Sequence, residues 1–373
     1  MQRIFHTPEG VRDLYGKECF ARRKTEEKIH QVFWSHGFED IQTPVFEFFE
    51  VFSNEVGTIP SRELFKFFDR DNDTLTLRPD FTPSVSRACA SYFTPEVSPV
   101  NLCYRGNAFI NSTHYQGKLK ETMQMGVEKM GDSSVMADAE ILAMTVECMK
   151  AAGLEDFQIS VGQVEFFKAL LEETKLDELQ VEQLRSLISQ KNVYGVEDLL
   201  AQVGIKGRQA KAFSMLPQLF GPEHVLKTAR SLTDNPRALS AVVRLEEIYA
   251  LLKIYGYEKY IMFDFGMLSK FRYYTGIIFQ GYTYGAGNAL VKGGRYDDLL
   301  EHFGKKAPSI GFVIVLDSLM AALGERAFEE DEPEVCTVEY TMQDAESAIR
   351  KAMELRAQGR RIAMRPAESG QGG

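Results

Sequence analysis

The feature that most limits the fold of this chain is a change of periodicity in the middle of the sequence. From about residue 165 to residue 255, apolar residues recur at helical spacing in strings such as FFKALLEE, VEQLRSLISQ and LEEIYALLKIYG, a pattern typical of amphipathic helices. Almost no stretch of this segment alternates apolar and polar residues. The pattern predicts a helical insertion between two strand-containing segments.

Strand signals lie on both sides of this insertion. LFKFFDRDNDTLTLRPD predicts a hairpin, and FQISVGQ, IIFQGYTY, NALVKGG and SIGFVIVL each predict a strand. EDIQTPVFEFFEVF predicts a short strand closed by Pro44 and then a second amphipathic piece. Helices are predicted over residues 16–36, 137–152 and 296–303, and after Asp317. Strands mixed with helices, hairpins and crossovers predict an α+β domain around a mainly antiparallel sheet.

The acidic stretch FEEDEPE, at residues 328–334, predicts a linker, although a solvated charged face fits the same composition. We therefore expect one domain over residues 1–327 and a further segment over residues 335–373. That segment has the pattern strand, helix, strand. Because about 40 residues are too few to bury a full core, we expect a truncated C-terminal α/β segment.

The composition predicts a cytoplasmic protein. The start, MQRIFHTPEGVRD, lacks the apolar core of a signal peptide, and no apolar run approaches the length of a membrane span. Five cysteines without CxxC spacing indicate reduced thiols, and six histidines show no metal-ligand spacing. We therefore expect neither a metal nor a cofactor. The net charge of −10 argues against a dedicated nucleic-acid-binding face.

The stretch TLRPDFTPS is the first candidate binding segment. Arg78, Asp80 and Thr82 stand at the end of a predicted strand. A carboxylate and a hydroxyl two positions apart lie on one face of a strand, where both accept hydrogen bonds from an ammonium. The alternative is that Asp80 is a turn residue that caps the helix SVSRACASY.

The second candidate segment is MQMGVEKMG. In a strand, Gln124 and Glu128 point to the same side. An inward-facing Glu is costly unless it is paired, so a cationic or hydrogen-bonding ligand is a rational partner. The alternative is an exposed strand face that needs no partner.

The third candidate is the tyrosine pair Tyr273 and Tyr274, which offers apolar ring surface and two phenol groups. Packing within a strand is the alternative. The glycines of YGAGNALVKGGRYDDLL match neither a phosphate loop nor a dinucleotide fingerprint. They predict a hairpin with glycine bulges.

The order of these segments resembles the histidyl-tRNA synthetase family, a branch of the class II aminoacyl-tRNA synthetases. PEGVRDLYG, GFEDIQTPVFE, TLRPDFT, YRGNAF, QMGVEKMG, YYTGIIFQGY, GGRYDDLL and SIGFVIVLDSL follow one another in the family's order over roughly residues 5–325. The resemblance implies the class II catalytic fold, an antiparallel sheet flanked by helices. It also implies a dimer built around residues 37–47.

Several departures from the family pattern replace an arginine of the family with a neutral residue. Ile110 stands where the family has the arginine that clamps the ATP α-phosphate, and Ser112 where it has a glutamate. Ser269 and Ser318 replace two further arginines. Without these cations the resemblance implies lost adenylation chemistry, although Lys118, Lys120, Lys270 and Arg272 are candidates for displaced substitutes.

The amino-acid half of the implied pocket is better preserved. By resemblance, Asp80, Thr82 and Gln124 receive an α-ammonium, Glu128 and Tyr274 recognise an imidazole, and Tyr273 belongs to the same wall. Two departures lie here as well. Asp80 replaces a glutamate of the family, and Phe81 replaces a glycine.

Together these features resemble the non-catalytic paralogues that regulate a short-form ATP phosphoribosyltransferase in the first step of histidine biosynthesis. The resemblance implies a hetero-oligomer with the short catalytic subunit and histidine as effector, and it argues against tRNA binding. Two alternatives stay open. One is an active or tRNA-interacting synthetase-like enzyme, and the other is a purely structural activator with a vestigial pocket.

Overall fold

The computed structural model describes residues 5–53, 59–112, 119–268 and 273–367. The strands are β1 (Glu39–Asp40), β2 (Phe46–Phe48), β3 (Lys66–Phe68), β4 (Thr74–Leu77), β5 (Val100–Phe109), β6 (Glu121–Met130), β7 (Phe157–Gln163), β8 (Phe220–Gly221), β9 (Ile261–Asp264), β10 (Ile277–Thr283), β11 (Val291–Arg295), β12 (Ser309–Val315), β13 (Val335–Tyr340) and β14 (Arg361–Pro366). The α-helices are α1 (Gly16–Ser35), α2 (Thr82–Tyr92), α3 (Val135–Ala151), α4 (Val164–Glu172), α5 (Glu178–Ser189), α6 (Val193–Gln202), α7 (Gly207–Met215), α8 (His224–Ser231), α9 (Pro236–Tyr255), α10 (Leu316–Leu323) and α11 (Ala345–Ala357).

The main sheet has nine strands in the order β1-β5-β6-β12-β11-β10-β7-β9-β8. Adjacent strands in this sheet are antiparallel, except that β1 is parallel to β5 and β7 is parallel to β9. The predicted α+β fold with a mainly antiparallel sheet flanked by helices is therefore confirmed. A second sheet, in the order β2-β4-β3, contains the predicted hairpin.

The segment predicted to be helical forms α4 to α9, and local signals explain where several of these helices begin and end. Asn235 accepts hydrogen bonds from the first turn of α9, Pro236 occupies its start, and Gly256 ends it in the left-handed conformation with φ of 74°. Asp177 forms a capping box at α5. One short strand, β8, interrupts the helices and pairs with β9.

The helical segment and the main sheet share one hydrophobic core. Leu184, Phe213 and Leu245 belong to the same buried cluster as Val127 and Ile159 of the sheet. The core covers the sheet face that carries the odd-numbered residues of β6, which leaves the opposite face for the site. The domain boundaries remain predictions.

Two elements differ from their sequence predictions. The strand predicted in EDIQTPVFEFFEVF is reduced to two residues in β1, and the segment after Pro44 forms β2 and a 3₁₀ turn over Phe49–Phe52. The helix predicted from residue 296 is a 3₁₀ turn over Leu299–Phe303.

The C-terminal residues follow the predicted order of strand, helix and strand. β13 and β14 are parallel and α11 connects them. Val338, Ala348 and Ala352 form a small buried cluster of their own. In the part of the chain that the structure describes, no helix combines the length and the apolar character that a bilayer crossing requires.

Candidate functional site

A cavity of about 630 Å³ lies over one face of β6, β12 and β11. All of the predicted site positions that fall in the described residues line it: Asp80, Thr82, Ile110, Gln124, Glu128, Tyr273, Tyr274 and Ser318. Ser269 lies outside the described residues. The structure therefore brings together side chains from five separate parts of the sequence.

Glycines on the strands create the space for this cavity. Gly294 of β11, Gly311 of β12 and Glu128 of β6 are paired in one row across the sheet. A Cβ atom on Gly311 would stand 1.9 Å from Glu128 Oε2, and one on Gly294 would stand 2.6 Å from the Tyr274 ring. Because these Cβ atoms are absent, the Glu128 carboxyl group and the Tyr274 ring can pack directly against the strand backbone at these two glycines.

Glu128 is the buried ionisable group at the centre of the cavity floor, with 1% of its surface exposed. Thr82 Oγ1 donates a hydrogen bond of 2.7 Å to Glu128 Oε1, and the Tyr296 hydroxyl donates to Oε2. Burial disfavours the charged form and raises the pKa of Glu128 from 4.5 to about 8, despite these two donors. At neutral pH this environment therefore favours the protonated form of the Glu128 carboxyl group.

Gln124 lies on the same strand face as Glu128, as the strand alternation predicts. The residue is only 8% exposed, and in the described part of the chain no hydrogen-bond donor reaches Gln124 Oε1. A buried acceptor without a donor is costly. Since this atom belongs to a residue that lines the cavity, a ligand donor such as an ammonium would satisfy it.

Asp80 and Thr82 reach the cavity from a different element than predicted. Strand β4 ends at Leu77, so the prediction that they share a strand face is wrong. Pro79 cannot continue a strand ladder, and Pro83 favours the start of α2. Asp80 therefore lies in a loop, where its Oδ1 accepts a hydrogen bond of 3.3 Å from the Thr82 backbone N–H. Asp80 is thus a turn residue, as the alternative interpretation has it, but it does not cap α2, because Phe81 occupies the N-cap position and no side chain makes a capping hydrogen bond there.

Arg78 and Phe81, from the same stretch, do not line the cavity. The Arg78 guanidinium is buried and donates to the backbone carbonyl oxygens of Asn107, Thr43 and Pro44 at 2.9–3.2 Å. It lies 4.0 Å from the centroid of the Phe81 ring. Arg78 therefore fixes the loops behind the site, and Phe81 fills the core rather than the ligand space.

The tyrosine pair forms one wall of the cavity. The rings of Tyr273 and Tyr274 are 4.4 Å apart and tilted by 33°, and Tyr273 meets Tyr296 edge to face at 6.0 Å. Burial raises the pKa of both Tyr273 and Tyr274. These phenols stay protonated at neutral pH, so the wall offers hydroxyl groups and ring surface without charge.

The other half of the cavity carries the neutral replacements. Ile110 follows the end of β5, and Ser318 lies in the first turn of α10. Asp317, beside Ser318, accepts from the Met123 backbone N–H at 2.7 Å and contacts Arg22 at 3.3 Å. Ser112 is not among the lining residues.

The proposed substitute cations do not fill this gap within the described residues. Lys118, Lys270 and Arg272 lie outside them, and Lys120 is absent from the lining. The basic side chains that do line the described cavity are Arg12 and Lys292, which the sequence interpretation did not consider. Arg12 is already paired with Glu18 at 2.7 Å.

A second group of potential ligands lies elsewhere, between α1, β1 and β5. His30, Asp40 and Cys103 place one imidazole nitrogen, one carboxylate oxygen and one sulfur within 4.8 Å of one another. Asp40 accepts a hydrogen bond of 2.9 Å from His30 and one of 3.6 Å from the Cys103 thiol. These bonds satisfy the cluster without an ion. All five cysteines are free, as predicted.

Comparison with known proteins gives a consistent result. A sequence profile described as histidyl-tRNA synthetase matches residues 10–319. The ATP phosphoribosyltransferase regulatory subunit of Acetivibrio thermocellus is 40% identical over 355 residues, which are 95% of this chain and 85% of that protein. The protein of the same name from Thermoanaerobacter pseudethanolicus is 37% identical over 97% of this chain and 94% of its own length.

Solved structures agree on the fold. The crystal structure of an ATP phosphoribosyltransferase regulatory subunit/histidyl-tRNA synthetase from Bacillus halodurans has a TM-score of 0.89 and 29% identity, covering 99% of this chain and 94% of that one. The histidyl-tRNA synthetase of Nostoc sp. PCC 7120 has a TM-score of 0.81 at 20% identity, covering 98% of this chain and 87% of its own. At that identity the second likeness concerns the fold alone.

Proposed function

The chain belongs to the histidyl-tRNA synthetase family and, within it, to the ATP phosphoribosyltransferase regulatory subunits, and we propose that its cavity binds free histidine as a feedback signal. Its role is non-catalytic, in the complex that carries out the first step of histidine biosynthesis. The partner is the short catalytic subunit. Histidine bound in the cavity biases that complex toward a less active state.

One contrast within the cavity supports this proposal most directly. The half that faces the amino acid keeps the Gln124 acceptor, which no donor among the described residues reaches, and the Glu128 carboxyl group with its raised pKa. The half that would face ATP carries Ile110 and Ser318. A transferred phosphoryl group needs fixed cations against its developing negative charge. Isoleucine and serine supply none, whereas an amino acid can bind without them.

Each of the proposed histidine contacts has a chemical role. Asp80, Thr82 and Gln124 accept from the α-ammonium. Glu128 pairs with the imidazole, and Tyr273 and Tyr274 provide the wall on which the ring lies. An imidazolium beside Glu128 supplies the positive charge that lets the carboxyl group ionise in a buried site.

The test is co-purification with a short-form ATP phosphoribosyltransferase, followed by assays with and without histidine. We expect a stable complex whose phosphoribosyl transfer requires this chain and is inhibited by histidine. Calorimetry on the chain alone and on the complex measures binding directly. If histidine binds to neither, the effector role is wrong even if the complex assembles.

Two variants separate this function from the vestigial-pocket alternative. Glu128→Ala is expected to abolish histidine inhibition while the complex still forms, whereas Glu346→Ala, on the exposed face of α11, should leave inhibition unchanged. Retained inhibition in Glu128→Ala would favour a pocket without function. The synthetase alternative predicts histidine-dependent exchange of pyrophosphate into ATP, which we expect to be absent.

A self-dimer through residues 37–47 belongs to the same proposal. Val45, Phe46 and Phe48 are 45–54% exposed, and Phe68 on β3, the other edge strand of the same three-stranded sheet, is 71% exposed. Contiguous exposed apolar side chains favour a protein interface. Light scattering is expected to give a dimer for the wild type and a shift toward monomer for Phe46→Ser. We further propose a cytoplasmic location, which free cysteines favour, and no tRNA partner.

A further inference from the structure

We propose that Lys292 is the cation that meets the carboxylate of the bound amino acid. This assignment rests on the proposed histidine site. It names the residue that recognises the ligand carboxylate, a role for which the replaced arginines are no longer present. Lys292 lies on β11, a different segment from those that carry the other contacts, and it lines the same cavity.

The strand register fixes where Lys292 lies relative to the two polar residues of β6. Lys292 pairs with Val313, which in turn pairs with Gly126. Gly126 is midway between Gln124 and Glu128, and all three belong to one strand face. Two strand spacings separate the Cα atoms of Lys292 and Gly126, a distance of about 10 Å. Lys292 therefore faces the midpoint of the Gln124–Glu128 pair from the opposite side of the cavity floor.

This triangle matches the three functional groups of a polar α-amino acid. Gln124 offers an acceptor for the ammonium and Glu128 an acceptor for the side chain, but neither attracts a carboxylate. A desolvated carboxylate needs a cation or several donors. A lysine carries its charge on a long flexible stem, so Lys292 can extend over Val313 toward a ligand that lies between the other two residues.

The charges around the cavity leave Lys292 available for this role. Glu128 already accepts from Thr82 and Tyr296, and Asp317 contacts Arg22. Arg12, the other basic residue in the described lining, is paired with Glu18. No carboxylate of the described residues forms an ion pair with Lys292. The ligand can therefore provide its counter-charge.

The test compares histidine with histidinol, in which a hydroxymethyl group replaces the carboxylate, by calorimetry on the complex with the catalytic subunit. Lys292→Met should weaken histidine binding about 10- to 100-fold, the range for one charge-assisted hydrogen bond. Histidinol binding should change less than about twofold. Lys306→Met, an exposed lysine outside the cavity, is the matched control.

Arg12→Met tests the competing cation, and thermal melts check the fold of each variant. The assignment is overturned if Lys292→Met weakens both ligands equally or neither, or if Arg12→Met alone lowers the preference for histidine. In those cases histidine binding by the wild type, and with it the proposed function, still stands. Absence of histidine binding to the wild type would instead overturn the proposed function and this assignment together.

Discussion

Thr82 Oγ1 donates a hydrogen bond of 2.7 Å to Glu128 Oε1, which joins the first residue of α2 to a residue near the end of β6. The bond connects two segments that are 46 residues apart in the sequence. It holds the Glu128 carboxyl group in the cavity even when no ligand is bound. The site is thus arranged in advance, at the cost of a buried acid whose pKa is raised.

The first prediction is that Glu128→Gln stabilises the empty protein. The pKa of Glu128 is raised from 4.5 to about 8 in the folded state. The native state therefore loses stability, relative to the unfolded chain, as the pH rises from 4.5 to 8, because only the unfolded carboxyl group ionises in that window. Glutamine cannot ionise, so the variant gains about 3 kcal/mol over the wild type at pH 7.

Urea unfolding at pH 4.5, 6 and 8 measures this difference. The gain in the free energy of unfolding should be near zero at pH 4.5 and should grow up to pH 8. The same variant should lose histidine binding. Glu346→Gln, at an exposed position, serves as the control and should show no such trend. A variant that is less stable than the wild type at pH 8 would contradict the raised pKa.

The second prediction concerns the pH dependence of histidine binding. In the complex, Glu128 and the ligand imidazole share one proton as carboxylate and imidazolium. Between about pH 6.5 and the Glu128 pKa of about 8, the free partners also hold one proton, so affinity should be constant. Below about pH 6.5 the free partners hold two protons, one of which must be released on binding. Affinity should then fall about tenfold per pH unit.

Calorimetry between pH 5.5 and 7.5, in buffers with different ionisation enthalpies, tests both parts. We expect no net proton release at pH 7.2 and release of about one proton at pH 5.5. The affinity for histidinol should fall in the same way below about pH 6.5, because histidinol carries the same imidazole. An affinity that does not change down to pH 5.5 would show that Glu128 does not pair with an imidazolium.

The sequence was sufficient to predict the parts of the site that depend on local pattern. The alternation of MQMGVEKMG placed Gln124 and Glu128 on one strand face, and the structure confirms this arrangement. The helical insertion followed from periodicity alone. Asp80 was placed on the wrong element because the prolines at positions 79 and 83, rather than the alternation, determine where β4 ends and α2 begins.

Other parts of the site depend on pairing between distant strands and could not be predicted. Tyr104 and Tyr296 face the Glu128 carboxyl group, yet each is an ordinary tyrosine in its own segment. The alignment of Gly294 with Gly311 and Glu128 requires the register of β11, β12 and β6. The same register brings Lys292 to the cavity, and no local signal in NALVKGG indicates it.

The third prediction tests the role of this glycine row. Gly311→Ala places a methyl group where Glu128 Oε2 lies, at 1.9 Å, and 2.3 Å from the Val127 carbonyl oxygen. The carboxyl group must move, so histidine affinity should fall at least about tenfold. Overpacking should lower the free energy of unfolding by about 1–3 kcal/mol.

Gly287→Ala is the matched control, because a Cβ atom there meets no heavy atom within 4 Å. It should bind histidine normally and unfold at the wild-type urea concentration. Intrinsic fluorescence gives the stability, and calorimetry gives the affinity. Normal histidine binding by a folded Gly311→Ala protein would show that the position of the Glu128 carboxyl group is not critical.

The last prediction concerns the ion network that fixes the strand carrying Lys292. Asp138 of α3 is fully buried and accepts from Arg295 at the end of β11 at 2.6–2.8 Å and from Arg244 of α9 at 2.6 Å. Asp138 therefore links α3 and α9 to the end of β11, at the edge of the cavity floor. Asp138→Asn keeps the shape of the side chain but removes the anion that the two guanidinium groups share, and it leaves Arg295 with Asp297 at 3.2 Å as its remaining counter-charge. We expect the free energy of unfolding to fall by about 1–3 kcal/mol, the range for lost hydrogen bonds to charged groups, because Arg295 keeps one carboxylate and Arg244 is partly exposed. Urea unfolding measures this loss, and Glu346→Gln, which breaks the exposed pair with Arg350, should show no measurable change. Equal stability of the two variants would mean that burial, rather than the ion network, holds β11 in place.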